Sequence, residues 1–455
     1  MAENADALAP GDRLQGRTPP GPSGTFGLTV LREEPLRFLM DWTAEYGDIV
    51  QYQAEEQTAI ILNRPEYAKH VFEDRNQNYL KSGTPELMML RPMLGEGLMT
   101  ADGESWLWQR RLTQPSFRRD RIQSLDTLMM DAVETMLRLW RIAATSEQTL
   151  DIEAEMTRLT LNIVSRALFG FDLSNEDSHF GQAVQAMNEC MAHFDPTNQP
   201  LLQRFLAGQQ TLRSLVQKII DQRRDQPDPD ADDLLAVLLQ AHHGDTGHQL
   251  SDRQLQDQIF TFLMAGHETT SKALTWTFYL LDQNPSVAER LRAELRALLG
   301  GRLPTSADLP QLQFTGMVID EAMRLYPPVW VMSRMAIAED EVGGYRIPAG
   351  TLAIVSPYAM HRHPRYWQDP EAFNPDRFAP EVARRRPPYA HFPFSGGPRL
   401  CIGRPLAIVE TRLVLAAIAQ CYTLELVPGH PVEPEALVTL RPRFGMRMTL
   451  HPVRT

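Results

Sequence analysis

The sequence predicts a mainly α-helical protein with a small β-rich lobe, built around one long helix that crosses the molecule. Three observations carry that fold class. Helical periodicity dominates from about residue 100 to residue 300. Within it, residues 252–284 form one uninterrupted run, roughly 50 Å long at 1.5 Å per residue. Residues 327–405 then hold 13 prolines in 79 positions, about twice the chain average of 34 in 455, so most of that stretch is irregular coil.

Composition narrows the class. With 57 Asp+Glu against 45 Lys+Arg, the net charge is −12, which argues against a nucleic-acid partner. The apolar share of 43% is that of a globular chain able to build its own core. Three cysteines (Cys190, Cys401, Cys421) cannot form a disulfide framework and fit a reducing compartment. The N-terminus has neither a basic start nor an apolar run, and no window is long and apolar enough to span a bilayer. The expectation is a cytoplasmic protein without a membrane anchor.

Along the chain, residues 1–24 read as a mobile lead-in, and 25–455 as a single domain. Residues 32–46 have a helical pattern. Segments 49–53 and 58–62 alternate as strands, and 126–143 and 150–170 repeat apolar residues at three and four. The acidic stretch 225–233 is a surface loop rather than a linker, because Leu234 resumes a helix at once. Ser251 caps the long helix and Asn284-Pro285 stops it. Its middle, Met264-Ala-Gly-His-Glu-Thr-Thr-Ser271, is a poor helix interior, and a broken local rule at the centre of a buried helix points to function. Strand signals return at 331–336, 345–347 and 351–355.

The most informative stretch is Phe392-Pro-Phe-Ser-Gly-Gly-Pro-Arg-Leu-Cys401-Ile-Gly-Arg-Pro-Leu-Ala407. A loop rich in Gly and Pro leads to Cys401, and a helical pattern follows to about residue 419. At a helix N-terminus, free N–H groups and a nearby Arg399 favour an anionic sulfur, and Gly403 leaves room beside it. An inert buried cysteine is the plain alternative, and it is the reading for Cys190 and Cys421.

Phe394, Gly397, Arg399, Cys401 and Gly403 together resemble the haem-binding loop of the cytochrome P450 family. Further matches extend the resemblance from about Tyr46 to the C-terminus. Glu321-Ala-Met-Arg324 places both side chains on one helix face and, with Arg377 in Asn374-Pro-Asp-Arg377-Phe378, is similar to the family's buried Glu–Arg–Arg network. Alone, Glu321 and Arg324 would read as a surface ion pair. Trp106-Leu-Trp-Gln-Arg110 resembles the helix that reaches a haem propionate. Arg399, Arg334 and, less directly, His361 are further candidates to neutralise the propionates. Ala265-Gly266-His267-Glu268-Thr269 resembles the oxygen-activating motif. Reductive cleavage of O2 needs protons delivered into a dry pocket, with Thr269 as the hydroxyl, Glu268 as the acid and Gly266 leaving room above the iron or allowing a kink. Thr270 and Ser271 read as hydroxyls bonded back to helix carbonyls.

The resemblance implies the cytochrome P450 fold, with haem b between the long helix and the cysteine-loop helix and Cys401 as iron ligand. It implies insertion of one oxygen atom of O2 into an apolar small molecule. Electrons come from NAD(P)H only indirectly, through a separate ferredoxin or flavodoxin and its reductase. Alternatives are a peroxide-driven peroxygenase of the same fold and a non-catalytic haem sensor. Residues 94–106 and the Gly-His-Glu-Thr core look closest to the fatty-acid and terpenoid hydroxylating branches. Ile259, Phe260, Leu263, Met264, Leu87–Leu90, Met93, Leu94 and Val329–Met332 are candidate pocket walls, and residues 193–200 resemble the lid connection. Basic residues in three segments (Arg118, Arg119, Arg121; Arg384–Arg386; Arg404) are expected to converge on one docking face for the electron donor.

Overall fold

A computed structural model describes residues 17–27, 33–145, 148–173, 181–184, 186–187, 190, 198–243 and 250–453. The helical lobe is organised around the central helix Asp252–Gln283, continuous over 32 residues. Ser251 opens it with a capping box: its hydroxyl accepts from the Gln254 N–H, and the Gln254 side chain accepts from the Ser251 N–H. Apolar residues all around the helix let it run through the core, where Ile259, Leu263, Leu274 and Trp276 are fully buried. It packs most extensively on the helix Ile152–Phe169 and also meets the helices Gln313–Leu325 and Arg404–Cys421.

The β-rich lobe is a six-stranded mixed sheet in the spatial order Thr25–Phe26, Ile49–Ala54, Gln57–Leu62, Leu352–Val355, Met332–Ala336, Tyr79–Leu80. The hairpin Ile49–Leu62 turns at Glu55 and pairs Val50 with Ile61; its second strand lies parallel to Leu352–Val355. Within the expected lead-in, residues from Arg17 onward already lie against this lobe. The Pro20 carbonyl accepts from Gln51 N–H at 2.8 Å, and the Arg17 carbonyl accepts from Arg346 N–H at 3.2 Å.

Two elements differ from the periodicity reading. Thr149–Asp151, expected to open a helix, is a strand paired with Arg447–Thr449, so the helix begins at Ile152. Gln199–Asp225 is a 27-residue helix that the sequence pattern did not single out. The segment expected to be a lid connection lies, at residues 193–197, outside the described residues.

Candidate active site

The cysteine loop is fixed by its own backbone. The Cys401 N–H donates to the Phe394 carbonyl at 3.0 Å, and the Leu400 N–H to the Gly397 carbonyl at 3.1 Å. Ser395 and Gly397 both have positive φ, +64° and +61°. A Cβ at Gly397 would stand 1.9 Å from the Phe72 carbonyl oxygen, so this glycine is required by the passing backbone of residues 72–73 rather than by a cofactor. The helix Arg404–Cys421 follows, with Pro405 in its first turn.

The Cys401 side chain retains accessible surface although it lies deep in the protein. Burial pushes its thiol above the usual range; the N–H groups of Gly403 and Arg404 and the charges of Arg110 and Arg404 oppose that only in part. The helix N-terminus and the arginines thus act in the expected direction, toward the anion, against the effect of burial. A Cβ at Gly403 would sit 3.9 Å from the sulfur, filling the space beside it.

One flank of the site is rich in cations. Arg399 stacks on the Trp106 ring, 4.4 Å from its centroid, and bonds to the Asp102 carboxylate and, at 3.1 Å, to the Ala101 carbonyl. Arg334 is buried, bonded to the Ser333 carbonyl at 2.8 Å and placed over Phe72; burial and the Arg399 charge push it down to about 10. Lys81, which sequence reasoning missed, donates to the Met99 carbonyl at 2.8 Å; burial, Arg334 and Arg399 lower it to about 7. Arg110 is half-buried, and burial lowers it against the raising effect of Cys401. Lys81, Arg110 and Arg334 have no ion-pair partner within 4 Å among the described residues. Asp102 alone pairs with Arg399. His361 is not part of this flank. It is fully buried, its Nε2 accepts from the Phe392 N–H at 3.0 Å, and its carbonyl accepts from Arg324.

On the central helix, Ala265, Gly266 and Thr269 keep accessible surface between fully buried neighbours. Ile259, Phe260, Leu263 and Met264 are packed into the core instead. The helix runs unbroken through Gly266. A Cβ there would meet Val164 Cγ2 at 2.7 Å, so its absence lets the helix Ile152–Phe169 approach. The Thr269 hydroxyl donates to the Ala265 carbonyl at 2.9 Å, and Thr270 and Ser271 bond back in the same way. The Glu268 carboxylate is buried and accepts from the Thr439 hydroxyl at 3.0 Å, a partner the sequence did not suggest.

Glu321 and Arg324 are both 0% exposed and form a bidentate pair at 2.6 and 2.8 Å. Arg324 also donates to the carbonyls of His361, Pro370 and Ala372. Glu321 accepts from Asn374 N–H at 2.9 Å and from Arg377 at 3.3 Å. The proline-rich coil leading to the cysteine loop is thus bound to one buried ion pair.

The family model for cytochrome P450 matches residues 19–446, starting well before Tyr46. The chain belongs to the cytochrome P450 family and is a P450 monooxygenase. It is 34% identical to cyclooctatin synthase of Streptomyces melanosporofaciens over 93% of this chain and 91% of that one. Cyclooctat-9-en-7-ol 5-monooxygenase of the same organism is 36% identical over 90% of each chain. Pentalenene oxygenase of Streptomyces avermitilis is 30% identical over 92% of this chain and 93% of that one. The crystal structure of the cytochrome P450DA heme domain superposes with a TM-score of 0.87 at 27% identity, covering 96% of this chain and 98% of that one. Among the described residues no helix is long and apolar enough to cross a membrane. The site fits the family's haem. It offers one accessible thiol with open space at Gly403, small residues with accessible surface on the central helix, and cations on one flank, unpaired among the described residues, suited to two carboxylates.

Proposed function

We propose that this protein hydroxylates an apolar, terpenoid-like or fatty-acid-like small molecule with O2, taking electrons from a ferredoxin or flavodoxin reduced by a separate NAD(P)H-dependent reductase. The overall change joins one oxygen atom to a substrate C–H carbon and reduces the other to water with two electrons and two protons. Two relatives bear names that state substrates, a cyclic unsaturated alcohol and an alkene, which supports an apolar ring-bearing substrate.

What supports this reading is that Cys401 keeps accessible surface and that Thr269, on the central helix, does so too, with the buried acid Glu268 next to it in the chain. Bound haem would supply the activation of O2, favoured by a thiolate ligand. Cys401 Sγ would hold the iron. Lys81, Arg110, Arg334 and Arg399, with Trp106, would hold the propionates. Gly397 and Phe394 shape the loop, and Ala265 would keep the helix surface low above the ring. Thr269 Oγ1 passes a proton into the pocket, and the Glu268 carboxyl replenishes it.

Electron-donor docking rests on fewer arginines than the charge runs suggest. Arg121 is paired with Asp232, and Arg386 is stacked on Trp367 and Phe378 inside the coil. Arg119, Arg385 and Arg404 have no acidic partner within 4 Å among the described residues, and the helix Arg119–Gln123 packs on Arg404–Cys421.

The test begins with a panel of apolar compounds screened for substrate-induced spin-state shifts. The best ligand is then turned over with a surrogate ferredoxin and reductase, or with peroxide alone. Product that requires the reductase system supports the reading. Product with peroxide alone makes the protein a peroxygenase, and no product by either route makes it a haem sensor.

A further inference from the structure

Glu268 is not left to its own helix. Its carboxylate meets the turn of a hairpin near the C-terminus, formed by Pro434–Ala436 and Leu440–Pro442. The Thr439 hydroxyl in that turn donates to Glu268 Oε1 at 3.0 Å, and both side chains are buried. Three further bonds fix the turn. Trp276, two helical turns beyond Glu268, donates its indole N–H to the Leu440 carbonyl at 3.0 Å. Trp330 donates its indole N–H to the Leu437 carbonyl at 2.8 Å, and the Leu440 N–H donates to the Pro328 carbonyl at 2.9 Å. The turn is thereby tied both to the central helix and to the chain entering the sheet strand Met332–Ala336.

The Thr269 hydroxyl, by contrast, is bonded to the Ala265 carbonyl, and the structure gives no direct hydrogen bond between it and the Glu268 carboxyl. The acid is therefore held to the side of the alcohol it would serve, by a group from a segment about 170 positions away. A hydroxyl fixed by its own backbone is a good docking point for a carboxylate, since a hydrogen bond to an ionised group is stronger than one between neutral groups.

We propose that Thr439 is a positioning residue for Glu268. Its hydroxyl fixes the carboxyl rotamer beside Thr269, and without this bond the acid is no longer placed to serve the alcohol. The inference rests on Glu268 being the proton source proposed above.

The test uses holoenzyme variants Thr439→Val, Thr439→Ser, Glu268→Gln and Glu268→Gln/Thr439→Val, with the ligand that gives the largest spin-state shift. Haem content and melting temperature act as folding controls. Thr439→Val should lower the product-forming rate about tenfold, the size of one hydrogen bond to a charged group, raise peroxide release and enlarge the solvent isotope effect. Thr439→Ser should restore coupling, and the double variant should match Glu268→Gln, because Thr439 acts only through that carboxyl. Unchanged coupling in Thr439→Val, failure of Thr439→Ser to restore it, or an added full loss in the double variant would overturn the inference. A crystal structure of Thr439→Val holoenzyme reads positioning without turnover: the carboxylate should leave its present site. If Glu268→Gln alone leaves coupling intact, the acid role fails, and the crystal structure still decides whether Thr439 holds the side chain. A carboxylate that keeps its rotamer without the hydroxyl rules the positioning role out.

Discussion

Asp102 holds Arg399 against the ring of Trp106. The same carboxylate accepts from the N–H groups of Lys81 and Ser82 at 2.9 Å, from the Ser82 hydroxyl at 3.1 Å and from the Gly103 N–H at 3.3 Å. One acid thus orders the cation-rich flank, caps the helix Gly103–Thr113 and anchors the strand that ends at Leu80.

Asp102→Asn should loosen this flank and give a pH-dependent stability loss. Burial works against ionisation of Asp102, but the Arg399 charge and the donated hydrogen bonds outweigh it and hold the carboxyl below its usual range. For an acid with a lowered pKa in the folded state, the added stability is present above the unfolded value and lost as pH falls through the folded one. The wild-type advantage over Asp102→Asn in urea midpoint should therefore be full near pH 6 and shrink below about pH 4. An equal gap at both pH values would show that the charge plays no part.

Glu321→Ala and Arg324→Ala should each give little folded holoprotein. Removing one partner leaves the other charge buried, at a cost of about 3–5 kcal/mol, a large share of ordinary stability. Normal haem content and an unchanged urea midpoint in either variant would contradict the buried pairing.

Gly266→Ala should destabilise the protein by about 1–3 kcal/mol through overpacking against Val164. Val164 is β-branched and cannot turn aside, so Val164→Ala in the same chain should recover much of the loss. Additive losses in the double variant, measured by urea unfolding, would mean that the glycine serves another purpose.

These outcomes mark how far the sequence was legible. Cys401 stood out from the spacing of its loop, whereas spacing alone read Glu321–Arg324 as a surface ion pair and only the family resemblance made it a buried one, which it is. Arg377 likewise came from the resemblance, and it does meet Glu321. Lys81, Asp102 and Thr439 were not legible, since only strand pairing and a distant hairpin bring them to the site. Gly266 and Gly397 stood out correctly as glycines with a purpose. Which backbone or side chain comes close to a glycine is a tertiary fact, and the partners were Val164 and Phe72 rather than a cofactor. The arginine runs misled in part for a similar reason, because Arg386 spends its charge over Trp367.

Thr269→Ala should uncouple the enzyme. NAD(P)H would still be consumed through the surrogate partners, but peroxide would replace product because the hydroxyl proposed to pass the proton is gone. Full coupling in this variant, measured as product formed per NAD(P)H oxidised, would remove Thr269 from the proton path.

The central claim is that Cys401 sulfur binds the haem iron, and the reduced carbon-monoxide spectrum tests it most directly. Wild type should give the red-shifted Soret band from which the family takes its name. Cys401→His, if it retains haem, should lose that band for one at shorter wavelength, and Cys401→Ala should lack it altogether. A red-shifted band that persists in Cys401→Ala would contradict the assignment.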